Sequence, residues 1–119
     1  MKDFRTLKVW QKAHELALSV YLVTRGFPRE ELYGLTSQLR RGAVSVASNI
    51  SEGCGRGSDA DFGRCLQIAL GSGSEVEYQL LLAHDLGLLE DSAYHRVAVQ
   101  CTEVKRMLTA LIQKLNAER

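Results

Sequence analysis

Apolar residues recur along this chain at alternating steps of three and four, the spacing that lines one face of an α-helix. Four such stretches are separated by glycine- and proline-bearing breaks. The first covers about residues 6–25, with Trp10, Ala13, Ala17, Val20 and Thr24 on one face. Gly26, Phe27 and Pro28 end it, because proline cannot continue a helix yet suits the first turn of the next. After a short turn over 28–33, the second runs from Leu35 to Ser51 on Leu35, Leu39, Ala43, Val46 and Ile50. Glycines at 53, 55 and 57 then read as a helix stop and a loop.

The third stretch covers about 59–86, on Phe62, Leu66, Ala69, Gly73, Val76, Leu80 and Ala83. Ser58 followed three on by Asp61 resembles a capping box, and Gly87 stands where a left-handed C-terminal cap belongs. The fourth covers about 92–117, on Tyr94, Val97, Cys101, Val104, Leu108, Leu111 and Leu115. Unbroken heptad seams require near-parallel helices at small crossing angles. No segment alternates with period two, so no strand is expected. Short connections between long helices predict an all-α fold, an antiparallel up-down-up-down four-helix bundle, as a single domain over 1–119.

Composition adds little. Lys plus Arg number 15 and Asp plus Glu 14, so no global charge demands nucleic acid or an acidic membrane. Cys54, Cys65 and Cys101 form no CxxC pair and read as packing residues, which argues against a zinc site or a disulfide framework. No leader-like or membrane-spanning apolar run occurs, so a cytoplasmic chain with no membrane partner is expected.

Apolar surface and charge both exceed what one bundle uses. Leu18, Leu22, Leu81 and Leu82 flank the seams rather than lie on them, which predicts a second interface, hence a homo-oligomer. Residues 1–29 carry six basic and two acidic groups; residues 58–90 carry one basic and six acidic. The first and third helices are diagonal in an up-down bundle, so these opposite charges can meet only between adjacent copies.

The segment QLRRGAVSVASNISEG mixes charge with small side chains. Pairing the second and third helices antiparallel about residue 58 brings Glu52 level with Arg64, and Arg41 level with Glu75. This predicts a polar seam of Arg41, Asn49, Glu52, Arg64, Ser72 and Glu75. Its Arg and Glu are paired, Asn49 is hydrogen-bonded, and Gly42, Ser45, Gly71, Ser72 and Gly73 let the backbones approach. Whether the ion pairs lie within one subunit or between two stays open.

A catalytic reading has less support. Glu52 and Glu75 lie two to three turns apart, too far for a glycosidase carboxylate pair. No ExxH motif appears, so the di-iron bundle signature is missing. His14, His84 and His95 are isolated and read as surface or edge residues. GCGRG follows a helix, not a strand, so no phosphate-loop or dinucleotide fingerprint is met. No enzyme activity, cofactor or metal is expected.

FRTLKVWQKA, FPREELYGLTSQLRRGAVSVASNISEGCGR and DFGRCLQIALGSGSE resemble the bacterial four-helix-bundle family named after the 23S rRNA intervening sequence. Members are encoded in extra segments of ribosomal RNA genes and elsewhere. The resemblance covers almost the whole chain and departs from the family only slightly. Gly42 stands where alanine is usual, and Val46 where isoleucine is frequent. It implies a homopentameric ring or barrel. The family is similar to the accessory protein of diversity-generating retroelements, which binds nucleic acid and a reverse transcriptase through basic surface. By that analogy RNA or DNA, and a protein such as a reverse transcriptase, are expected partners. Candidate nucleic-acid contacts are Lys2, Arg5, Lys8 and Lys12 near the start, Arg56 in the loop, and Lys105 and Arg106 on the fourth helix. The competing expectation is a protein-interaction adaptor without nucleic-acid binding.

Overall fold

The computed structural model describes residues 2–118. Four helices, α1 (Lys8–Thr24), α2 (Leu35–Cys54), α3 (Asp59–Asp85) and α4 (Asp91–Ala117), follow one another, and single 3-10 turns lie at Phe4–Thr6 and Arg29–Glu31. There is no strand among the described residues. Packing joins α1 to α2, α2 to α3, α3 to α4 and α4 back to α1, and neither diagonal pair touches. This is the expected antiparallel up-down-up-down bundle, 46 × 22 × 20 Å.

Local chemistry sets the helix ends. The Ser58 hydroxyl accepts the Asp61 N–H at 3.2 Å and starts α3. At its other end Gly87 takes φ +80°, the left-handed conformation that a side chain disfavours. The Gly87 N–H then reaches the His84 carbonyl, and the Leu88 N–H reaches that of Ala83, each at 2.9 Å. Together they satisfy two of the last carbonyls of α3. Pro28 leads into the Arg29–Glu31 turn, from which Glu31 Oε1 accepts the Leu35 N–H at 3.0 Å and caps α2.

The seams of α2 and α3 are buried as expected, from Leu35 to Ile50 and from Phe62 to Ala83. Two other faces are rotated by about one position. In α1 the buried set is Val9, Ala13, Leu16, Val20 and Thr24. Trp10 and Ala17 only pack against its margin. In α4 Ile112 is buried where Leu111 was expected, and Tyr94 is half-buried. A straight helix drifts by ~20° per heptad from a strict seven-residue repeat, so a long seam takes an extra step of four, here from Leu108 to Ile112. Helix α2 also runs one turn further than Ser51, to Cys54. Gly53 does not stop it: a Cβ there would lie 2.8 Å from the Phe62 ring and 2.9 Å from Cys65 Cβ. That glycine is a contact point between helices.

Candidate functional site

The α2–α3 seam is where the polar residues gather. At Gly42 a Cβ would lie 2.8 Å from Val76 Cγ2, so the backbones approach closely there as well as at Gly53. Gly71 faces open space, and Gly73 faces Lys105 of α4, so these two do not serve the α2–α3 approach. Between the close points Ser45 Oγ and Ser72 Oγ share a hydrogen bond of 2.9 Å. Asn49 Nδ2 donates to the Ser45 carbonyl at 2.9 Å and to its hydroxyl at 3.1 Å. Further along, Gln79 Nε2 donates to Gln38 Oε1 at 3.2 Å.

The register is the expected one, but the expected ion pairs are not made. Glu52 pairs with Arg56 one turn on, at 2.5 Å, and Arg64 pairs with Asp61 at 3.0 Å. Both pairs lie on one helix or its end. A partner three or four residues away costs less side-chain entropy to hold than one across an exposed seam. Arg41 and Glu75 form no ion pair among the described residues. They line the same open hollow of about 400 Å³, with Gln38, Gln79 and the Ser45–Ser72 bridge. Tyr33, almost fully exposed, stands at its edge. The two serines bond to each other and Ser45 also to Asn49, and neither hydroxyl contacts a histidine or carboxylate that could activate it.

The candidate cations do not form one patch. Lys2, Arg5, Lys8 and Arg56 gather at one end of the bundle, where α1 and α3 begin and α2 and α4 finish. The Lys2 N–H is tied to the Cys54 carbonyl at 3.0 Å, and its Nζ sits 4.9 Å above the Phe62 ring. Arg5 meets Asp3 at 3.3 Å, and Lys12, one turn up from Lys8, meets Glu103 at 3.6 Å. Lys105 holds Glu77 at 2.7 Å midway along α4, and its exposed neighbour Arg106 lines a shallow α3–α4 groove. Among the described residues only Lys2, Lys8 and Arg106 of the seven have no carboxylate partner.

Exposed apolar side chains define the remaining surface. Leu18 and Leu22 are 59% and 57% exposed and Leu81 is 42% exposed, whereas Leu82 packs against the core. Leu82 therefore leaves the expected outer set. A groove of about 390 Å³ between α1 and α2 is lined by Trp10, His14, Leu18, Tyr21 and Val44. The Trp10 ring stacks on His14 at 5.0 Å and takes the edge of Phe4 at 4.9 Å. On α3, Ile68 and Tyr78 are exposed as well. The α1–α2 groove was not legible beyond Leu18 and Leu22, because Tyr21 and Val44 meet only once the helices are docked.

Residues 5–110 match the family described as 23S rRNA-intervening sequence protein. The chain belongs to that family. No curated protein matches it. Among solved structures it is similar to a protein of unknown function from the S23 ribosomal protein family of Bacteroides thetaiotaomicron VPI-5482. That likeness has 27% identity and a TM-score of 0.79, and covers 87% of this chain and 97% of the other. This member of the family therefore shares its bundle with a relative of unknown function. No helix among the described residues is long and apolar enough to cross a membrane.

Proposed function

We propose that this family member is a non-enzymatic assembly protein whose copies pack side by side into a homo-oligomeric ring, a pentamer by family resemblance. The ring presents the basic bundle end to structured RNA. The observation that carries the reading is the apolar α1–α2 groove with Leu18, Tyr21 and Leu22 exposed beside it. A second apolar surface, Tyr78 and Leu81, lies on the diagonally placed α3. Two different faces on opposite sides favour a head-to-tail contact, which closes into a ring when its rotation permits. The α1 segment is basic and the α3 segment acidic, so the same contact is electrostatically matched. Repetition around a ring would bring several copies of Lys2, Lys8 and Arg56 onto one rim, which suits a polyanion better than one copy does.

Light scattering of the full chain, with and without structured RNA, tests both parts. The expected protein mass is a multiple of 13.2 kDa, and Leu18→Glu with Leu22→Glu returns it to 13.2 kDa with helicity intact. A wild-type mass of 13.2 kDa at every concentration overturns the assembly reading. RNA affinity is expected to fall steeply with salt and to weaken in Lys2→Gln/Lys8→Gln. A salt-insensitive protein partner and no RNA binding at low salt would favour the adaptor reading instead.

A further inference from the structure

At the end of the bundle away from Lys2 and Lys8, a hollow of about 240 Å³ lies between the α1–α2 connection and the first turn of α2. Three guanidinium groups line it, from Arg25, Arg29 and Arg40, and no carboxylate does. None of the three takes part in an ion pair among the described residues, whereas Arg5, Arg56 and Arg64 each do. Glu31 in the same connection is already committed to the Leu35 N–H.

Two features show construction rather than chance. Arg40 is held from two sides: its Nε donates to Thr24 Oγ1 at 2.8 Å, and its guanidinium lies 4.7 Å over the Tyr21 ring. Thr24 is itself 2% exposed, and its hydroxyl donates to the Val20 carbonyl at 2.7 Å. This fixes the plane of Arg40 and leaves its two terminal nitrogens without a protein acceptor. Second, Thr36 lines the same hollow, is 4% exposed, and its hydroxyl has no hydrogen-bond partner. A buried hydroxyl without a partner is costly and rare in a packed bundle. It sits in the first turn of α2, where the helix dipole favours negative charge.

We infer that this hollow is a binding site for a phosphate-class oxyanion. Arg40 is the pre-oriented donor, Arg25 and Arg29 close over the anion from the connection, and Thr36 supplies a hydroxyl once the anion is present. Planar guanidinium forks match tetrahedral oxyanions, and charge-assisted hydrogen bonds of this type are the strong ones. The site is separate from the basic rim of the RNA reading and does not rest on it.

Inorganic phosphate titrated into the full chain, at ionic strength held constant with chloride, is the direct test. Saturable binding by calorimetry and a rise in melting temperature are expected, neither of them matched by chloride. Arg25→Gln/Arg29→Gln, at two exposed positions outside the core, is expected to weaken binding by about tenfold or more. Thr36→Val is expected to weaken phosphate binding while leaving the phosphate-free protein as stable or more so. A phosphate response equal to that of chloride overturns the proposal, as does undiminished binding in both variants. A short RNA with and without a 5′-phosphate then identifies the source. Preference for the phosphorylated form indicates a terminal monoester, equal binding lost in Arg25→Gln/Arg29→Gln indicates the backbone, and binding of neither leaves the free anion. Loss of RNA binding in Lys2→Gln/Lys8→Gln with phosphate binding intact separates this site from the rim.

Discussion

Gly53 of α2 lies against Phe62 of α3 so closely that a Cβ would stand 2.8 Å from the ring, 2.9 Å from Cys65 Cβ and 3.4 Å from the Phe62 carbonyl. Cys65 Cβ is fixed to its backbone and cannot step aside. Gly53→Ala therefore forces the helices apart, at about 1–3 kcal/mol for an overpacked core. The gain in helix propensity, ~1 kcal/mol, offsets only part of that. Gly63 and Gly71 also lie inside α3, but nothing stands within 4 Å of a Cβ there. Alanine at either is expected to stabilise the chain by about 0.5–1 kcal/mol. Urea unfolding of the three variants should give one loss and two gains, and a gain at Gly53 would refute the close approach.

The same contact explains part of what the sequence hid. Glycine after Ile50 has the pattern of a helix stop, and only the docked partner helix reveals that Gly53 is a contact. The register of α2 on α3 was legible, because the loop near residue 58 fixes it once both helices are recognised. The ion pairs were not legible from register alone. Glu52 has Arg56 one turn on and Arg64 has Asp61 three before, and long exposed side chains settle for the nearest opposite charge. Helix α1 hid its face for a different reason. Val9 and Leu16 compete with Trp10 and Ala17 as neighbouring stripes, and the choice depends on where α2 and α4 press.

Ser45 is the node of the polar seam, bonded both to Ser72 Oγ and to Asn49 Nδ2, whereas Ser72 makes one of these contacts. Ser72→Ala leaves Ser45 with a donor and is expected to cost about 0.5–1 kcal/mol. Ser45→Ala is expected to cost about twice that, because two bonds go. In a double-mutant cycle the pair should couple by ~0.5–1 kcal/mol. Strict additivity would mean that the serine bridge contributes nothing to holding α2 on α3.

The three thiols are all buried, and Cys101 Sγ donates to the Gly73 carbonyl at 3.3 Å. Burial, reinforced by nearby Glu77, pushes the Cys101 thiol up to about 11, and burial raises Cys54 as well despite Lys2 beside it. Only the thiolate is a good nucleophile, so these groups are doubly protected. Alkylation of the folded chain at mildly alkaline pH is expected to leave Cys101 unmodified for as long as the bundle stays closed. Denaturant should expose all three to labelling together in one cooperative step. Prompt labelling of Cys101 in native buffer would mean that α3 and α4 part locally.

His84 closes the α3–α4 turn, with Nε2 at 2.6 Å from Asp91 Oδ1, Nδ1 at 3.3 Å from Asp85 and its ring stacked on Tyr94 at 4.5 Å. Its pKa lies above the ordinary 6.5, first because of the hydrogen bond to Asp91, then through Asp85 and the charges of both, while partial burial works the other way. The last turn of α3 also favours a cation. A group whose folded pKa is raised contributes stability that is fully present below its unfolded value and is lost as pH rises through the folded value. The melting temperature is therefore expected to decline as pH climbs from below 6.5 into the mildly alkaline range. Asp91 is 98% exposed, so the decline should be shallow and should weaken further in salt. His84→Gln keeps a side chain able to hydrogen-bond Asp91 but cannot take up the proton, and should flatten this part of the pH profile. Asp91→Asn should flatten it nearly as much, since Asp91 is the main cause of the shift. A slope that survives both substitutions would place the titrating group elsewhere.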